Sequence, residues 1–503
     1  MSENKPLQNP MNAVNPRRWA ALAVVLVASF MDAVDVTVVN MALPSIEREV
    51  GASTSELQWI TGGYALAFAL GLITGGRLGD LFGRRRIFLL GMAGFTLTSL
   101  ICGVSHSPEL LLGGRVAQGA MAALMVPQVL SLIHVTFPER ERGKVFGIYG
   151  AVMALGTVTG PLIGALIVEG DLMGWGWRPI FLVNIPLGVA GLLAGALVIS
   201  ESKAERAARL DIVGVVLAAA GLLALVLPLT QGRELGWPAW TYVSMAASAP
   251  LLALFVAWER RLTRRGGSPL VVLSLFSRRS FAGGQGVQLM FGLASGVFFL
   301  AWTLYLQLGL GWSPLRAGLS GLPLSAAMMA GAGVSMQVLV PRFGRVVLQA
   351  GALLATAGML LYLYLAQHYG AGIAPWQAIV PLIPVGLGMG LIVAPLTDLI
   401  LSEVPHEHAG SASGLTNTTI QLGQAVGVAL SSVAFFGRLG HGGPAEQAQR
   451  MPHAFADSLW YVAGVFAAAF VLLFAVPRLA GRKPGGAGEQ RRPEEHQERV
   501  PVS

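Results

Sequence analysis

Eight stretches of 20 to 25 residues contain no Asp, Glu, Lys or Arg: Leu57 to Gly76, Ile87 to Pro108, Val145 to Val168, Pro179 to Ser200, Ile212 to Gly232, Leu235 to Trp258, Ala317 to Pro341 and Ser458 to Pro477. A helix needs about 20 apolar residues to cross the hydrocarbon of a bilayer, so each is long enough for one crossing. Val346 to Thr397 is also free of charge but too long for a single span, and the polar, Gly- and Pro-containing Gln367 to Trp376 divides it. Segments near Trp19 to Met41, Leu110 to Leu132, Phe281 to Tyr305 and Ala409 to Phe436 bring the expected number to fourteen. Charged side chains are 12% of the chain, about half the share of a soluble domain, which excludes a water-soluble globule. The expectation is therefore an all-α membrane protein.

The net charge of +8 could suggest a nucleic-acid partner. Its distribution argues otherwise. Counting from the amino terminus, 27 of the 34 Lys and Arg fall in loops on one side of the fourteen spans, six on the other, and Arg115 within a span. Such an excess marks the cytoplasmic side. Both termini are thus expected in the cytoplasm of a multi-pass cell (inner) membrane protein, with the lipid bilayer and no nucleic acid as partner. The first apolar run is no cleavable leader, because it is too long, holds two aspartates and follows eighteen polar-rich residues. With one cysteine, Cys102, neither an intrachain disulfide nor a cysteine metal site can form. The 64 glycines follow no collagen period and read as close helix packing.

A weak repeat organises the spans. Phe82-Gly83-Arg84, after the second, matches Phe343-Gly344-Arg345, after the tenth, with Pro341 standing where Asp80 does. Two related six-helix halves, a recurring transporter plan, would then be residues 19–200 and 281–477. Residues 201–258 form an inserted central pair, 259–280 a cytoplasmic linker, 1–18 a cytoplasmic amino-terminal segment and 478–503 a tail of disordered composition. A monomer suffices for such a plan.

Four stretches then resemble the major facilitator superfamily, specifically its fourteen-helix drug:proton antiporters. They are Asp35-Val-Thr37-Val-Val-Asn40-Met-Ala42-Leu43-Pro44, the loop Gly76-Arg-Leu-Gly-Asp80-Leu-Phe-Gly83-Arg84-Arg85-Arg86, Arg115-Val-Ala-Gln118-Gly119, and Gly156-Thr-Val-Thr-Gly160-Pro161-Leu-Ile-Gly164. In the last, Ala165 replaces a second glycine of the family pattern. The resemblance covers the chain to about Pro477. It implies alternating access driven by the proton gradient without a cofactor, a conformational latch at Asp80 and Arg84, a cavity-sealing role for the glycine motif, and proton coupling at Asp35.

The residues also carry readings of their own. Asp80 can meet the positive end of a neighbouring helix or an arginine, a contact present only while the two halves are closed inside. Gly156, Gly160 and Gly164, at i, i+4, i+8, make a smooth stripe for another helix, with Pro161 kinking it. Away from span ends only Asp32, Asp35 and Arg115 are ionisable, and such groups face protein or a wet cavity. Asp35 and Arg115 each lie seven residues, about 10 Å, below the outer face, whereas Asp32 lies about 15 Å down. Asp32 and Asp35 share a helical face. A purely structural Asp35–Arg115 pair would leave Asp32 without a partner, which favours a functional carboxylate.

Gln118, Gln285, Gln288, Asn417 and Gln421, together with Gln424, place amides that could line a cavity or simply hydrogen-bond between helices. His406-Glu407-His408 has the wrong spacing and no third ligand for a metal. Gly386, Gly388 and Gly390 read as packing rather than a phosphate cradle. An intramembrane enzyme would need a cluster of reactive groups at one depth on facing helices, and none is present in the sequence. The expectation is an exporter of amphipathic, cationic drugs or antibiotics in exchange for protons. The alternative is a dedicated exporter of one metabolite, such as a self-made antibiotic or a siderophore.

Overall fold

The structure is a computed structural model that describes residues 17–52, 54–170, 174–203, 210–232, 235–405, 408–439 and 444–476. The expected tail from 478, most of the amino-terminal segment, and His406 and Glu407 lie outside the described residues.

Every long apolar stretch is helical. The amino-terminal set is α1 (Arg18–Val50), α2 (Thr54–Phe82), α3 (Arg84–Gly103), α4 (Pro108–Thr136), α5 (Glu139–Gly170) and α6, the last interrupted between Pro179–Leu182 and Asn184–Val198. Then come α7 (Ile212–Gln231) and α8 (Ala239–Arg264). The carboxy-terminal set is α9 (Arg279–Leu304), α10 (Pro314–Ser320 and Leu322–Val334), α11 (Val346–Tyr369), α12 (Pro375–Ile379 and Leu382–Ser402), α13 (Ala409–Leu439) and α14 (Pro444–Leu472). Local chemistry sets several starts: Ser107 accepts from Leu110 N ahead of Pro108, Asp211 accepts from Gly214 N, and Ser313 accepts from Arg316 N, the side-chain capping that helix N-termini require.

Helices stand at all fourteen expected positions. Twelve helices among the described residues are long and apolar enough to span a bilayer, and α5 and α13 contain further charge-free runs, Val145 to Val168 and Ala409 to Phe436. Both are over thirty residues long, but α13 opens with Ala409-Gly-Ser-Ala-Ser-Gly-Leu-Thr-Asn-Thr-Thr and α5 begins with the charged Glu139-Arg-Glu-Arg. The second inserted helix also passes the boundary expected at 258, because Arg260 and Arg261 extend a helix beyond its apolar part while their long side chains reach water.

α1 packs on α5, α2 on α4, and α3 on α4 and α6; in the other set α9 packs on α13 and α14, and α10 and α11 on α12. Between the sets, α2 meets α13 and α5 meets α10. α7 and α8 pair with each other, and α7 leans on both α2 and α13. Only 17% of the apolar stretch of α8 is buried within the protein, against 72% for α4, so the inserted pair sits at the periphery, over the seam between the sets. The sequence repeat has a structural counterpart. Gly83 (φ 106°) and Gly344 (φ 54°) both hold the left-handed backbone that favours glycine. The arginine after each ties down the chain leaving the last helix of its set: Arg84 at Ser202, Arg345 at the Phe474 and Val476 carbonyls.

Candidate functional site

α1 carries both buried acids. Asp35 is fully buried and Asp32 is 5% exposed. Arg115 of α4 reaches Asp35 Oδ2 through Nη1 at 2.5 Å, as their equal depth anticipates. Asp35 Oδ1 accepts from Gln118 Nε2 at 3.0 Å and from Asn184 Nδ2 at 2.9 Å. Gln118 in turn accepts from Arg115 Nη1 at 2.7 Å and donates to Ser99 Oγ at 2.8 Å, and Arg115 Nε donates to the Ile60 carbonyl at 3.1 Å. A charge pair removed from water costs several kcal/mol per ion unless such added hydrogen bonds satisfy it. Five helices supply them, α1 to α4 and α6.

Asp32 has a partner that its sequence position does not reveal. Tyr64 of α2 donates its hydroxyl to Asp32 Oδ1 at 2.6 Å, and its ring lies under the Arg115 guanidinium, 4.3 Å from ring centroid to Cζ. One tyrosine thus touches both halves of the site: its polar edge serves Asp32 while its face stabilises Arg115. Asp32 has no ion-pair partner among the described residues. The site therefore holds two carboxyls and one guanidinium in a buried, hydrogen-bonded chain, in which a proton or a ligand cation can balance the charge of the second acid.

The glycine stripe packs on the helix that carries these acids. A β-carbon at Gly156 would lie 2.8 Å from Ala33 Cβ, at Gly160 1.9 Å from Thr37 Oγ1 and 3.0 Å from the Val34 carbonyl, and at Gly164 2.9 Å from the Val38 carbonyl. Gly160→Val is accordingly expected to push α1 off α5 at a cost of about 1–3 kcal/mol. Gly113→Ala is the control, since nothing lies within 4 Å of its β-carbon position. Melting of the detergent-purified proteins checks the difference; equal melting temperatures would contradict the contact. Pro161 lies inside α5, close to the Gly318 start of α10 in the other set.

At the basic end of the bundle Asp80 meets both expected kinds of partner. Arg84 Nη2 donates to Oδ1 at 2.8 Å, and the first backbone N–H groups of α13, Gly410 N and Ser411 N, donate to Oδ1 and Oδ2 at 3.0 Å each. An anion at a helix N-terminus completes orphan donors and suits the helix dipole. Just above, α2 and α13 touch backbone to backbone: a β-carbon at Gly76 would lie 2.1 Å from the Gly410 carbonyl. Ser131–Ser413 and His134–Val404 hydrogen bonds, at 3.3 and 3.2 Å, join α4 to the same region. The two sets are closed at this end. Arg85 and Arg86 both reach the α6 exit: Arg85 N donates to Glu201, Arg85 Nη2 to the Ala196 carbonyl, and Arg86 pairs with Glu201 at 3.6 Å.

The candidate cavity amides divide. Gln118 belongs to the buried network. Gln285 joins α9 to α13 through Thr416 at 3.0 Å, with Gln288 buried one turn on. Asn417 bonds its own helix at Ser413 O, 3.0 Å away, and Gln421 is half-buried. Gly386, Gly388 and Gly390 pack against α10 and α11 backbone. Sequence reasoning missed Tyr64, Ser99 and Asn184. A signal existed for two of them, because Tyr64 is the sole tyrosine of its charge-free stretch and Asn184 the sole amide of its own.

The sequence pattern of the Major Facilitator Superfamily matches residues 25–428. A "Probable actinorhodin transporter" of Streptomyces coelicolor is 44% identical over 424 residues, covering 84% of this chain and 73% of the relative. The "Tetracenomycin C resistance and export protein" of Streptomyces glaucescens is 37% identical, over 86% of this chain and 78% of that one. The "Multidrug resistance protein Stp" of Mycobacterium tuberculosis is 36% identical, over 80% and 73%. Among solved structures, the proton:xylose symporter XylE superposes with TM-score 0.64 at 15% identity, over 92% of this chain and 97% of that one, a likeness of fold.

Proposed function

The chain belongs to the major facilitator superfamily, a transporter and not an enzyme, and from that premise we propose a proton-coupled antiporter that exports amphipathic, cationic drugs or antibiotics by alternating access. A monomer suffices for this in the cell (inner) membrane, with both termini in the cytoplasm, six-helix halves at 19–200 and 281–477, and the α7–α8 pair inserted between them. α5 and α13 serve as the remaining two crossings. The proton gradient is its only energy source.

The observation that carries this reading is the buried acid chain, in which Asp35 is balanced by Arg115 and Asp32, among the described residues, accepts from the Tyr64 hydroxyl without an ion-pair partner. Asp32 can take a proton in one state and a substrate cation in another, and the tyrosine face on Arg115 makes the two acids sense each other. The Asp80 contact with α13 is the closed inner gate, which must part for substrate to enter from the cytoplasm. The printed names of the relatives include single antibiotics as well as multidrug resistance. This supports, as a second reading, a dedicated exporter of one endogenous metabolite.

A toxicity panel in a host without its own efflux pumps tests substrate breadth. Resistance to several unrelated lipophilic cations supports the first reading, and resistance to one compound the second. Asp32→Asn is expected to impair cationic substrates while sparing neutral ones; equal loss of both in vesicle transport assays would remove Asp32 from substrate binding. At the gate, Asp80→Asn and Gly76→Ala act on the closed state alone, one by removing the charge held at α13 and the other by wedging a methyl into the Gly410 carbonyl. Both should raise cysteine accessibility from the cytoplasm and slow turnover, leaving outward substrate affinity intact. Unchanged accessibility would contradict the gate.

A further inference from the structure

Asp211 and Glu259 lie on the inserted pair, apart from the α1 network. Asp211 caps α7, accepting from Gly214 N at 2.9 Å, and both of its oxygens accept from Trp258 Nε1, at 3.0 and 2.9 Å. Glu259, next on α8, is fully buried, and its carboxyl converges with that of Asp211 on Gly214. The two crowd the open face of Gly214: a β-carbon there would lie 2.3 Å from Asp211 Oδ2 and 2.5 Å from Glu259 Oε1. Glu259 Oε1 meets no N–H or O–H donor, and no cation ion-pairs with either acid among the described residues. Ionised carboxylates only accept hydrogen bonds, so two of them bond to each other only with a proton between.

The pair is wired to the inner gate. Glu259 Oε2 accepts from Val271 N at 3.3 Å in the linker after α8. The preceding Leu270 carbonyl accepts from Ser411 Oγ at 2.8 Å, and Ser411 N donates to Asp80 Oδ2. Leu270 and Val271 pack with Ile73 of α2, Ala218 and Leu222 of α7, and Phe255 of α8. Among the described residues, the charged groups around the pair form no ion pair with it. On α2, Arg77 lies one turn from Ile73 with Nε unpartnered, and Asp80 is held by Arg84; on α8, Arg260 and Arg261 are exposed; in the linker Arg265 is exposed and Arg278 donates to the Glu403 carbonyl. The first turn of α13 carries no charge.

We propose that Asp211 and Glu259 share one proton drawn from the cytoplasm, and that this proton clamps the 265–278 linker to α8 and α13 and so keeps the inner gate shut. The inference rests on the alternating-access reading but not on the identity of the substrate. When the proton leaves, two anions in contact repel. Glu259 turns to water, Val271 N loses its acceptor, and the hold of Leu270 on Ser411 loosens. A more alkaline cytoplasm therefore opens the gate.

The test uses full-length protein in liposomes, without substrate or gradient, spin-labelled at exposed Phe82 and Ser402 across the gate and measured as pH is raised. The unaltered protein should pass from a short to a longer distance, with the closed-to-open ratio falling on the order of tenfold for each pH unit through the transition. Glu259→Gln keeps a donor for Asp211 and an acceptor for Val271, and should hold the short distance at every pH. Glu259→Ala, which removes the clamp, should show the longer distance at every pH. Asp211→Asn, which also retains the α7 cap, should repeat the glutamine result and guards against misfolding of a single variant. A pH response in Glu259→Gln and Asp211→Asn equal to that of the unaltered protein would overturn the proposal. Because the readout is a distance, failure of export in the vesicle assays leaves it legible.

Discussion

Asp35→Asn is expected to abolish uphill export of every substrate while leaving the fold in place. Asparagine matches aspartate in shape, and its amide oxygen can still accept from Arg115, but its NH2 then faces the Gln118 and Asn184 donors and the buried Arg115 loses its counter-ion, so some stability is lost while the helix packing is kept. What disappears is the ionisable group. A residue that cannot exchange a proton cannot tie proton movement to the conformational cycle, so an imposed pH gradient should drive no accumulation. Exchange of labelled for unlabelled substrate at equal concentrations needs only the conformational cycle, and should survive. Vesicles carrying the purified variant measure both. Full proton-driven export by the Asn variant would refute the coupling role of Asp35, and loss of exchange as well would assign it to binding.

Arg115→Ala is expected to have the largest effect on stability. It leaves the Asp35 carboxylate buried with amides alone, removes the donor to the Ile60 carbonyl, and takes the cation from the Tyr64 ring. Breaking a buried pair by removing one partner costs about 3–5 kcal/mol, because the remaining charge is uncompensated. Folded yield and melting temperature in detergent should fall sharply. Adding Asp35→Asn to the same chain removes the lone charge and should recover part of that loss, since neither member of the pair then remains. A single variant as stable as the unaltered protein, or a double variant that loses the sum of the two single losses, would show that the charges are not coupled.

Much of the architecture was legible because a bilayer imposes a one-dimensional constraint. Runs of 20 or more uncharged residues mark crossings without any knowledge of packing, and the helix break expected over Gln367 to Trp376 is where α11 ends at Tyr369 and α12 begins at Pro375. Depth can be counted along a helix, so the positions of Asp35 and Arg115 within their spans already make them level. The glycine stripe was legible as a smooth face, but not that its neighbour is α1, because a face names no partner.

The sequence by itself determined a membrane-embedded helical protein, the order of its helices, the acids and arginine at its centre, and the carboxylate at its basic loop. These follow from composition and periodicity, which are local. The tertiary structure alone decided who meets whom: Tyr64 with Asp32, Asn184 and Ser99 around Asp35, the α13 N-terminus on Asp80, and Glu259 against Asp211. Each contact joins side chains or backbone far apart in the chain. It depends on how each helix is rotated about its axis and how closely glycines let backbones approach, and no local pattern encodes either.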